Sequence, residues 1–230
     1  MAMSDDVTSS LANAARAMNA PSSIQETLNA LVHAARTSVP GFDHVGVSTI
    51  DRRGNIETRA ATGEVVNSLD ILQYSLREGP CYETLRESEG VVIAPHLRHD
   101  QRWPRYVRQA VGEHGLRAQL AVRLFLDNEG TLGGLNLYST EQEEIAPDAE
   151  TIAEVFAAHA AVALGHARQV GDLQQALVSG RTIGMAIGIV MERYQLDRDR
   201  AFAFLARASS HGNVKLRDVA QEVVDKAETR

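Results

Sequence analysis

The C-terminal part of the chain shows the clearest alternation of apolar and polar positions. Three successive segments each carry one apolar stripe at helical spacing, and none can bury its stripe without the other two. Asp197 and Asn213 precede the second and third segments as helix-capping residue types, and His211-Gly212 separates these segments. The pattern predicts a three-helix bundle. Its stripe residues are Ile183, Ile187, Val190 and Tyr194, then Phe202, Leu205 and Ser209, then Leu216, Val219, Ala220 and Val223.

An alanine-rich segment starts at Asp148 and repeats its larger positions at alternating steps of four and three residues. This spacing predicts a heptad seam on one long helix, and such a seam needs a partner helix. We therefore predict a connecting dimerisation helix over residues 148–178, which continues to about residue 194 and can bend at Gly171. The seam residues are Ile152, Phe156, His159, Ala163, His166, Val170, Leu173 and Leu177.

The residues before this helix alternate between helical and extended patterns. A helix with apolar positions from Ile24 to Ala35 comes first, and residues 127–130 form a turn between the last two strands. Leu69–Leu76 is apolar, but periodicity does not settle whether it is helix or strand. The order predicts an α+β fold with one antiparallel sheet of five or six strands. The extended segments are His44–Ile50, Ile56–Ala61, Val91–Ala94, Leu120–Leu126 and Thr131–Tyr138.

Composition, charge and cysteine count bear on the number of domains, on nucleic-acid binding, on disulfides and on membrane contact. The chain has 230 residues, of which 44% are hydrophobic, and this is enough for two modest domains. The net charge is −7, but residues 170–230 hold 9 Lys/Arg against 8 Asp/Glu, so any nucleic-acid binding there depends on cations grouped on one face. The single cysteine excludes an internal disulfide. With no membrane-length apolar run and no secretory signal, we expect a cytoplasmic protein without membrane contact.

A set of C-terminal residues falls in the order and spacing of a known domain. These residues are Leu173, Ala176, Leu177, Arg181, Ile183, Gly188, Met191, Ala201, Phe202, Leu205, Ser209, Lys215, Leu216, Val219 and Ala220. Residues 171–227 thereby resemble the ANTAR domain, and the resemblance implies RNA binding in transcription antitermination. One departure is Ile187 in the step Ala186-Ile187-Gly188, where the family usually has lysine.

Residues 20–167 carry a second resemblance. The motifs are Gly79-Pro80-Cys81, Arg102-Trp103-Pro104, Gly115-Leu116 and Gly133-Gly134-Leu135-Asn136-Leu137-Tyr138. They resemble the GAF sensor domain that is fused to ANTAR domains in actinobacterial regulators. The resemblance implies a six-stranded antiparallel sheet flanked by helices, a small-molecule pocket and no catalysis. Signatures for cyclic nucleotides or bilins are not evident, so no cofactor is expected and the ligand is unassigned.

Four residues are candidates for the ligand pocket. Cys81 is either a reactive thiol or a packed apolar residue, and Trp103 either stacks on a planar ligand or covers the edge of the sheet. Asn136 and Tyr138 are two residues apart on one strand and should share a face, where their polar groups can bind a ligand.

The candidates for RNA binding lie in the C-terminal part. Arginine and lysine hold phosphates, whereas unpaired loop bases are read by stacking and hydrogen bonds. Asn213 can also contact a base, and Tyr194 is either a stacking surface or part of the core. The RNA-binding candidates are Arg181, Gly188, Arg193, Arg207, Asn213, Lys215 and Arg217.

Together the two resemblances imply a signal-responsive regulator that binds paired RNA stem-loops as a homodimer. A dimeric signalling adaptor whose C-terminal bundle binds a protein is the alternative, favoured by the near-neutral charge and by Ile187. An enzyme related to GAF-fold reductases is disfavoured because one cysteine cannot serve as both nucleophile and resolving thiol. His159 and His166 would stack along the dimer interface, as pH-sensing pairs or as ordinary interface residues, and no metal site is predicted.

Overall fold

The computed structural model describes residues 24–51, 53–86, 90–126 and 130–228. The chain divides into two compact units, the first ending at Ala167 and the second starting at Arg168. Most of the predicted turn at residues 127–130 lies outside the described residues, as do the first residues of the predicted GAF segment.

The first unit combines helices with a sheet, as the sequence predicts. The segment that periodicity left open, Leu69–Leu76, is the C-terminal part of a helix. In chain order the elements are α1 (Ile24–Ser38), β1 (His44–Ile50), β2 (Ile56–Ala61), α2 (Glu64–Leu76), α3 (Pro80–Arg86), β3 (Val91–Ala94), a short 3-10 helix (Leu97–His99), α4 (Pro104–His114), β4 (Ala118–Leu126), β5 (Gly130–Ser139) and the first part of α5 (Ala149–Tyr194).

The strands form one antiparallel sheet in the order β2-β1-β5-β4-β3. The α+β prediction is confirmed, although the described residues form five strands and not the six that the resemblance implies. Strands β1 and β5 come unusually close at Gly133, where a Cβ atom would lie 1.8 Å from the carbonyl oxygen of Ser48. Only glycine fits there, which explains the first glycine of the Gly133-Gly134 pair.

The two faces of the sheet differ in chemistry because side chains alternate along each strand. On β5, Leu135 and Leu137 join an apolar cluster with α1 and α5. Asn136 and Tyr138 point to the other face and bind polar groups of α2. Strand β4 repeats this division with Leu120 and Gln119. The second face therefore places polar groups in the interior of the unit.

Helix α5 is continuous over 46 residues, as the heptad spacing predicts. Two of the eight predicted seam residues, however, are buried inside the first unit. Ile152 and Phe156 belong to the apolar cluster formed with the sheet and α1, so their own chain covers them. A helix that packs on a sheet repeats its buried positions at steps of three and four residues, as a coiled-coil heptad does. The spacing alone therefore did not distinguish packing on the chain's own sheet from pairing with a second helix.

The second unit is the predicted three-helix bundle of the end of α5, α6 (Arg198–Gly212) and α7 (Leu216–Glu228). Its core contains Val190, Leu205 and Ala220. Asp197 caps α6 as predicted, because its side chain accepts a hydrogen bond from the backbone N–H of Arg200 at 2.8 Å. Asn213 is not the N-cap of the next helix. It ends α6 in the left-handed conformation, with φ of 48°, which asparagine tolerates better than most residues.

Candidate functional site

A buried polar cluster occupies the interior between the sheet and α2. At its centre is the carboxyl group of Asp70, which is fully buried and accepts hydrogen bonds from three strands. Thr58 and Ser48 donate hydroxyl hydrogen bonds to Oδ2 at 2.6 and 3.2 Å. On β5, Asn136 donates to Oδ1 at 3.2 Å, and the hydroxyl of Tyr138 donates to the same oxygen. One carboxyl group thus ties α2 to β1, β2 and β5.

The protonation of Asp70 is set by two opposing effects. Burial raises the pKa of its carboxyl group, and the hydrogen bonds from Thr58, Tyr138 and Ser48 lower it, with burial the largest effect. The net direction is upward from the ordinary value. Asp70 therefore holds its proton to a higher pH in the folded protein than in the unfolded chain.

Gln73, one turn after Asp70, extends the cluster towards α3 and β4. Its side-chain amide donates to the hydroxyl of Tyr138 at 2.9 Å, and its Oε1 accepts from the backbone N–H of Cys81 at 3.0 Å and from Gln119 at 3.1 Å. A Cβ atom at Gly79, where φ is +118°, would lie 2.5 Å from that oxygen. The glycine of the Gly79-Pro80-Cys81 motif therefore leaves room for the Gln73 amide.

Three of the four predicted pocket residues belong to this cluster. Cys81, Asn136 and Tyr138 are all fully buried, and the Cys81 sulfur lies 3.7 Å from the hydroxyl of Tyr74. Burial, with the charge of Asp70 as a smaller cause, raises the pKa of Cys81 to about 12. The thiol is therefore protonated at neutral pH and not a reactive thiolate.

Asn136 keeps one polar atom without a partner. Its Oδ1 is buried and accepts no hydrogen bond from the described residues. A Cβ atom at Gly134 would lie 3.6 Å from both this oxygen and the sulfur of Cys81, which is an ordinary packing distance. A buried oxygen that accepts no hydrogen bond marks a place where a donor can bind.

Trp103 lies apart from the cluster. Its indole N–H donates to Glu83 at 2.8 Å, the guanidinium of Arg102 lies 4.2 Å from the centre of its ring, and its side chain packs in a second apolar cluster with α2 and α4. The ring therefore packs in the interior of the first unit, where it is 4% exposed.

Most residues of the polar cluster around Asp70 were not predicted from the sequence. The helical spacing of α2 could have indicated the cluster, because Asp70 and Gln73 lie on the same buried stripe as Val66 and Leu69. Polar residues on the buried side of an amphipathic helix must find partners, and this indicates a buried network. The partners that the interpretation did not name are Ser48, Thr58, Tyr74, Tyr106 and Gln119.

In the second unit, the predicted RNA-binding residues are mostly exposed. Arg181, Arg193, Arg207 and Lys215 form no ion pair with any described residue. In contrast, Arg217 is half-buried and lies 3.4 Å from a carboxylate oxygen of Asp218. Four cations are therefore available to an external anion.

Open grooves run between the helices of the bundle. Gly188 and Arg193 line one of them with Met185, Ile189 and Val224. Arg217 lines a second groove, which Val178 and Thr182 also border. Asn213, at the exposed corner between α6 and α7, lines none of these grooves. The predicted residues thus spread over several surfaces of the unit.

Three stripe residues of the bundle differ from expectation, and one of them, Phe202, is 46% exposed and lies outside the core. Ile187 is half-buried against the bundle core and borders a groove with Phe202, so the chain has an apolar contact where the family usually has lysine. Tyr194 is 53% exposed and lies outside the core. Val190 already fills the buried position one turn earlier, and α5 ends at Tyr194, followed by a left-handed Gln195.

The remaining seam residues are more accessible than Ile152 and Phe156. His159 and Ala163 are half-buried, and His166 and Val170 are exposed. Leu173 and Leu177 are 66% and 76% exposed. The predicted seam residues of α5 from His166 onward are thus exposed.

Comparison with known protein families agrees with this division into two units. The family model of the GAF domain matches residues 21–165, and that of the ANTAR domain matches residues 171–224. The chain is a GAF–ANTAR protein. The GAF domain is a sensor domain and the ANTAR domain binds RNA in antitermination, so this GAF–ANTAR chain is a signal-responsive regulator. No curated protein matches the chain.

Solved structures share the fold of the GAF domain. The GAF domain of a phosphoenolpyruvate-protein phosphotransferase from Acinetobacter aligns with a TM-score of 0.56 at 16% identity, over 72% of this chain and 97% of that one. The corresponding domain from Coxiella burnetii aligns with the same TM-score at 18% identity, over 73% and 97%. The phytochrome photosensory core module of Stigmatella aurantiaca aligns at 0.56 and 13% identity, over 86% of this chain and 43% of that module. These likenesses establish the fold alone.

Two further kinds of site are absent from the described residues. No described helix is both long enough and apolar enough to cross a membrane. No group of three or more histidine, cysteine, aspartate or glutamate side chains within residues 24–51, 53–86, 90–126 and 130–228 is arranged to hold a metal ion.

Proposed function

We propose that this GAF–ANTAR protein binds paired RNA stem-loops as a homodimer in the cytoplasm and thereby controls transcription antitermination. The observation that carries the proposal is a set of exposed cations on the ANTAR unit that have no carboxylate partner among the described residues, namely Arg181, Arg193, Arg207 and Lys215. Cations that are not already paired within the protein can replace the counterions of RNA phosphates, and this release drives association.

The exposed part of the seam supports a dimer. Val170, Leu173 and Leu177 keep heptad steps of three and four on a helix that leaves them exposed. Pairing with the same stripe of a second copy would remove this apolar surface from water. Sedimentation should give a dimer for the wild type and a monomer for Leu173→Asp with Leu177→Asp. The control Gln174→Asp adds a charge beside the seam and should remain dimeric, and a monomeric wild type would refute the dimer.

The polar cluster around Asp70 is the proposed point of control in the GAF domain. The Oδ1 of Asn136, which accepts no hydrogen bond from the described residues, offers a small donor molecule a place to bind. Such a ligand, or a protein signal, would bind one arrangement of the dimer more tightly than another. The population of the preferred arrangement would then rise.

The RNA role is tested with a dual stem-loop RNA in a mobility-shift assay at several salt concentrations. The logarithm of the affinity should fall with the logarithm of the salt concentration by about 0.7 for each phosphate contact to single-stranded RNA. Arg207→Ala with Lys215→Ala should weaken binding and make this slope shallower.

Lys226→Ala is the matched control, because Lys226 is exposed but lies 2.5 Å from Glu222. Its affinity and salt slope should stay close to those of the wild type. Absence of any specific complex with the wild type, or equal binding by the double variant, would refute the RNA role.

A second candidate function is supported by one groove of the bundle. Ile183, Ile187 and Phe202 border a groove between α5 and α6, and Phe202 is partly exposed there. An apolar groove of this kind suits a protein partner, as expected of a dimeric signalling adaptor. Phe202→Ala would then abolish capture of that partner while leaving RNA binding unchanged.

A further inference from the structure

Two exposed aromatic rings meet at the corner between α5 and α6. Tyr194 is the last residue of α5, and Phe204 lies in the second turn of α6. Their ring centres are 5.4 Å apart, and the ring planes are inclined by 36°. Although they touch, Tyr194 remains 53% exposed and Phe204 39% exposed.

The pair is not needed to fill the interior of the bundle. On α6 the buried positions are Ala201 and Leu205, and on α5 the buried position nearest the corner is Val190. The two rings lie beside this core and add a rigid, flat apolar surface at the edge of the ANTAR unit. Exposed aromatic faces of this kind are the usual platforms for unpaired nucleic-acid bases, since every base has a flat π face.

Positive side chains flank the pair. Residues three and four apart lie on the same side of a helix, which places Arg200 and Arg207 on the side of α6 that carries Phe204. Arg193 is next to Tyr194 in the chain and borders the groove towards α7, and all three arginines are exposed. Arg200 lies 3.3 Å from Asp197, whereas Arg193 and Arg207 form no ion pair with a described residue. These arginines could therefore bind the phosphates on either side of a stacked base.

We propose that Tyr194 and Phe204 form a stacking platform for an unpaired base of an RNA loop, with Arg193 and Arg207 holding the neighbouring phosphates. This inference rests on the proposed RNA binding and deepens it, because it identifies which part of the RNA the corner recognises. Base pairs inside a stem cannot stack on the platform, since the neighbouring pairs cover both of their faces. The corner therefore distinguishes a loop from a continuous duplex.

A purely structural role for the ring pair makes a different prediction. If the rings only fasten α5 to α6, leucine at either position would keep the apolar contact and the function. If the rings stack on a base, leucine removes the flat π face and phenylalanine at position 194 retains it. Phe202 is the matched control, because it is an exposed phenylalanine on α6 whose side chain borders a different groove.

The experiment starts from a pool of RNA hairpins with a constant stem and a randomised loop, selected with the full-length wild type. A selected hairpin then carries 2-aminopurine at one loop position at a time, so that stacking on the platform changes its fluorescence. Tyr194→Leu and Phe204→Leu should each weaken binding about 5- to 150-fold, the range that corresponds to stacking of one base, and should abolish the fluorescence change. Tyr194→Phe and Phe202→Leu should behave as the wild type, and the salt slope should not change.

The outcomes separate the platform from the general RNA role. If selected hairpins bind the wild type and both leucine variants equally well, the platform is refuted while RNA binding stands. The platform is also refuted if a leucine variant loses affinity equally for the hairpin and for a blunt duplex of the same stem, or if circular dichroism shows that its helices have melted. Failure to enrich any loop would refute RNA-loop recognition and the platform together.

Discussion

The carboxyl group of Asp70 should be the main acceptor that holds the polar cluster of the GAF domain together. Replacing Asp70 by alanine removes the acceptor of three fully buried donors, the hydroxyls of Tyr138 and Ser48 and one N–H of Asn136. The Ser48 hydroxyl can donate to Tyr74 instead, at 2.5 Å, so two donors are left unsatisfied. Each buried donor left unsatisfied costs about 1–3 kcal/mol, so the loss should be on the order of 2–6 kcal/mol.

Asparagine at the same position should be tolerated. Its Oδ1 can accept from Asn136 and Tyr138, and its Nδ2 can donate to the hydroxyls of Ser48 and Thr58, which rotate to accept. Asp70→Asn should therefore stay within about 1 kcal/mol of the wild type at neutral pH. The pair of variants separates loss of hydrogen bonds from loss of charge.

The pH dependence follows from the raised pKa of Asp70. As pH rises above about 4, the unfolded chain releases this proton first, so the free energy of unfolding falls until the pH passes the folded-state pKa. Asp70→Asn cannot titrate at this position. The stability of the wild type relative to this variant should therefore decrease as the pH rises through this window.

Urea unfolding followed by tryptophan fluorescence measures these effects. Trp103 is the only tryptophan of the chain and is 4% exposed inside the GAF domain, so its emission reports unfolding of that domain. Equal stability of the alanine and asparagine variants would refute the role of Asp70 as the main acceptor. A difference between the wild type and Asp70→Asn that stays constant from pH 4 to 8 would refute the raised pKa.

Three further predictions concern single positions. Cys81 should resist a thiol reagent in the folded protein and react fully in urea, because it is buried and its pKa is about 12; rapid labelling of the native state would contradict this. Gly133→Ala should lower the free energy of unfolding by about 3 kcal/mol or more, because its Cβ would strike the carbonyl oxygen of Ser48, whereas Gly134→Ala meets nothing closer than 3.6 Å and should cost much less. Gly188→Ala, with no atom near its Cβ, should stabilise the bundle by about 1 kcal/mol in thermal unfolding. If RNA approaches the helix backbone there, the same change weakens RNA binding, and undiminished affinity would exclude that approach.

Much of the secondary structure followed from local patterns in the sequence. The hairpin of β1 and β2, the strand Val91–Ala94 and the three helices of the bundle agree with the predictions because their signals are short-range: alternation, helical periodicity, turn residues and the cap at Asp197. The division into a GAF and an ANTAR part also followed from motifs that each lie within one part of the chain.

What the sequence left open depended on contacts between distant residues. A stripe at steps of three and four does not reveal whether its partner is the chain's own sheet or a second helix, and for Ile152 and Phe156 it is the sheet. Asn213 is a good capping residue at either end of a helix, and the chain path decided that it ends α6.

Local patterns in the amino-acid sequence were enough to predict most of the helices and strands, the apolar positions on each, and the two domain families that the chain joins. The tertiary structure alone decided which polar groups meet, because Asp70 and its donors on β1, β2 and β5 are brought together by strand pairing over long stretches of chain. It also decided that Tyr194 remains outside the core and meets Phe204. Local spacing sets the face of a helix or strand, but only packing determines what that face contacts.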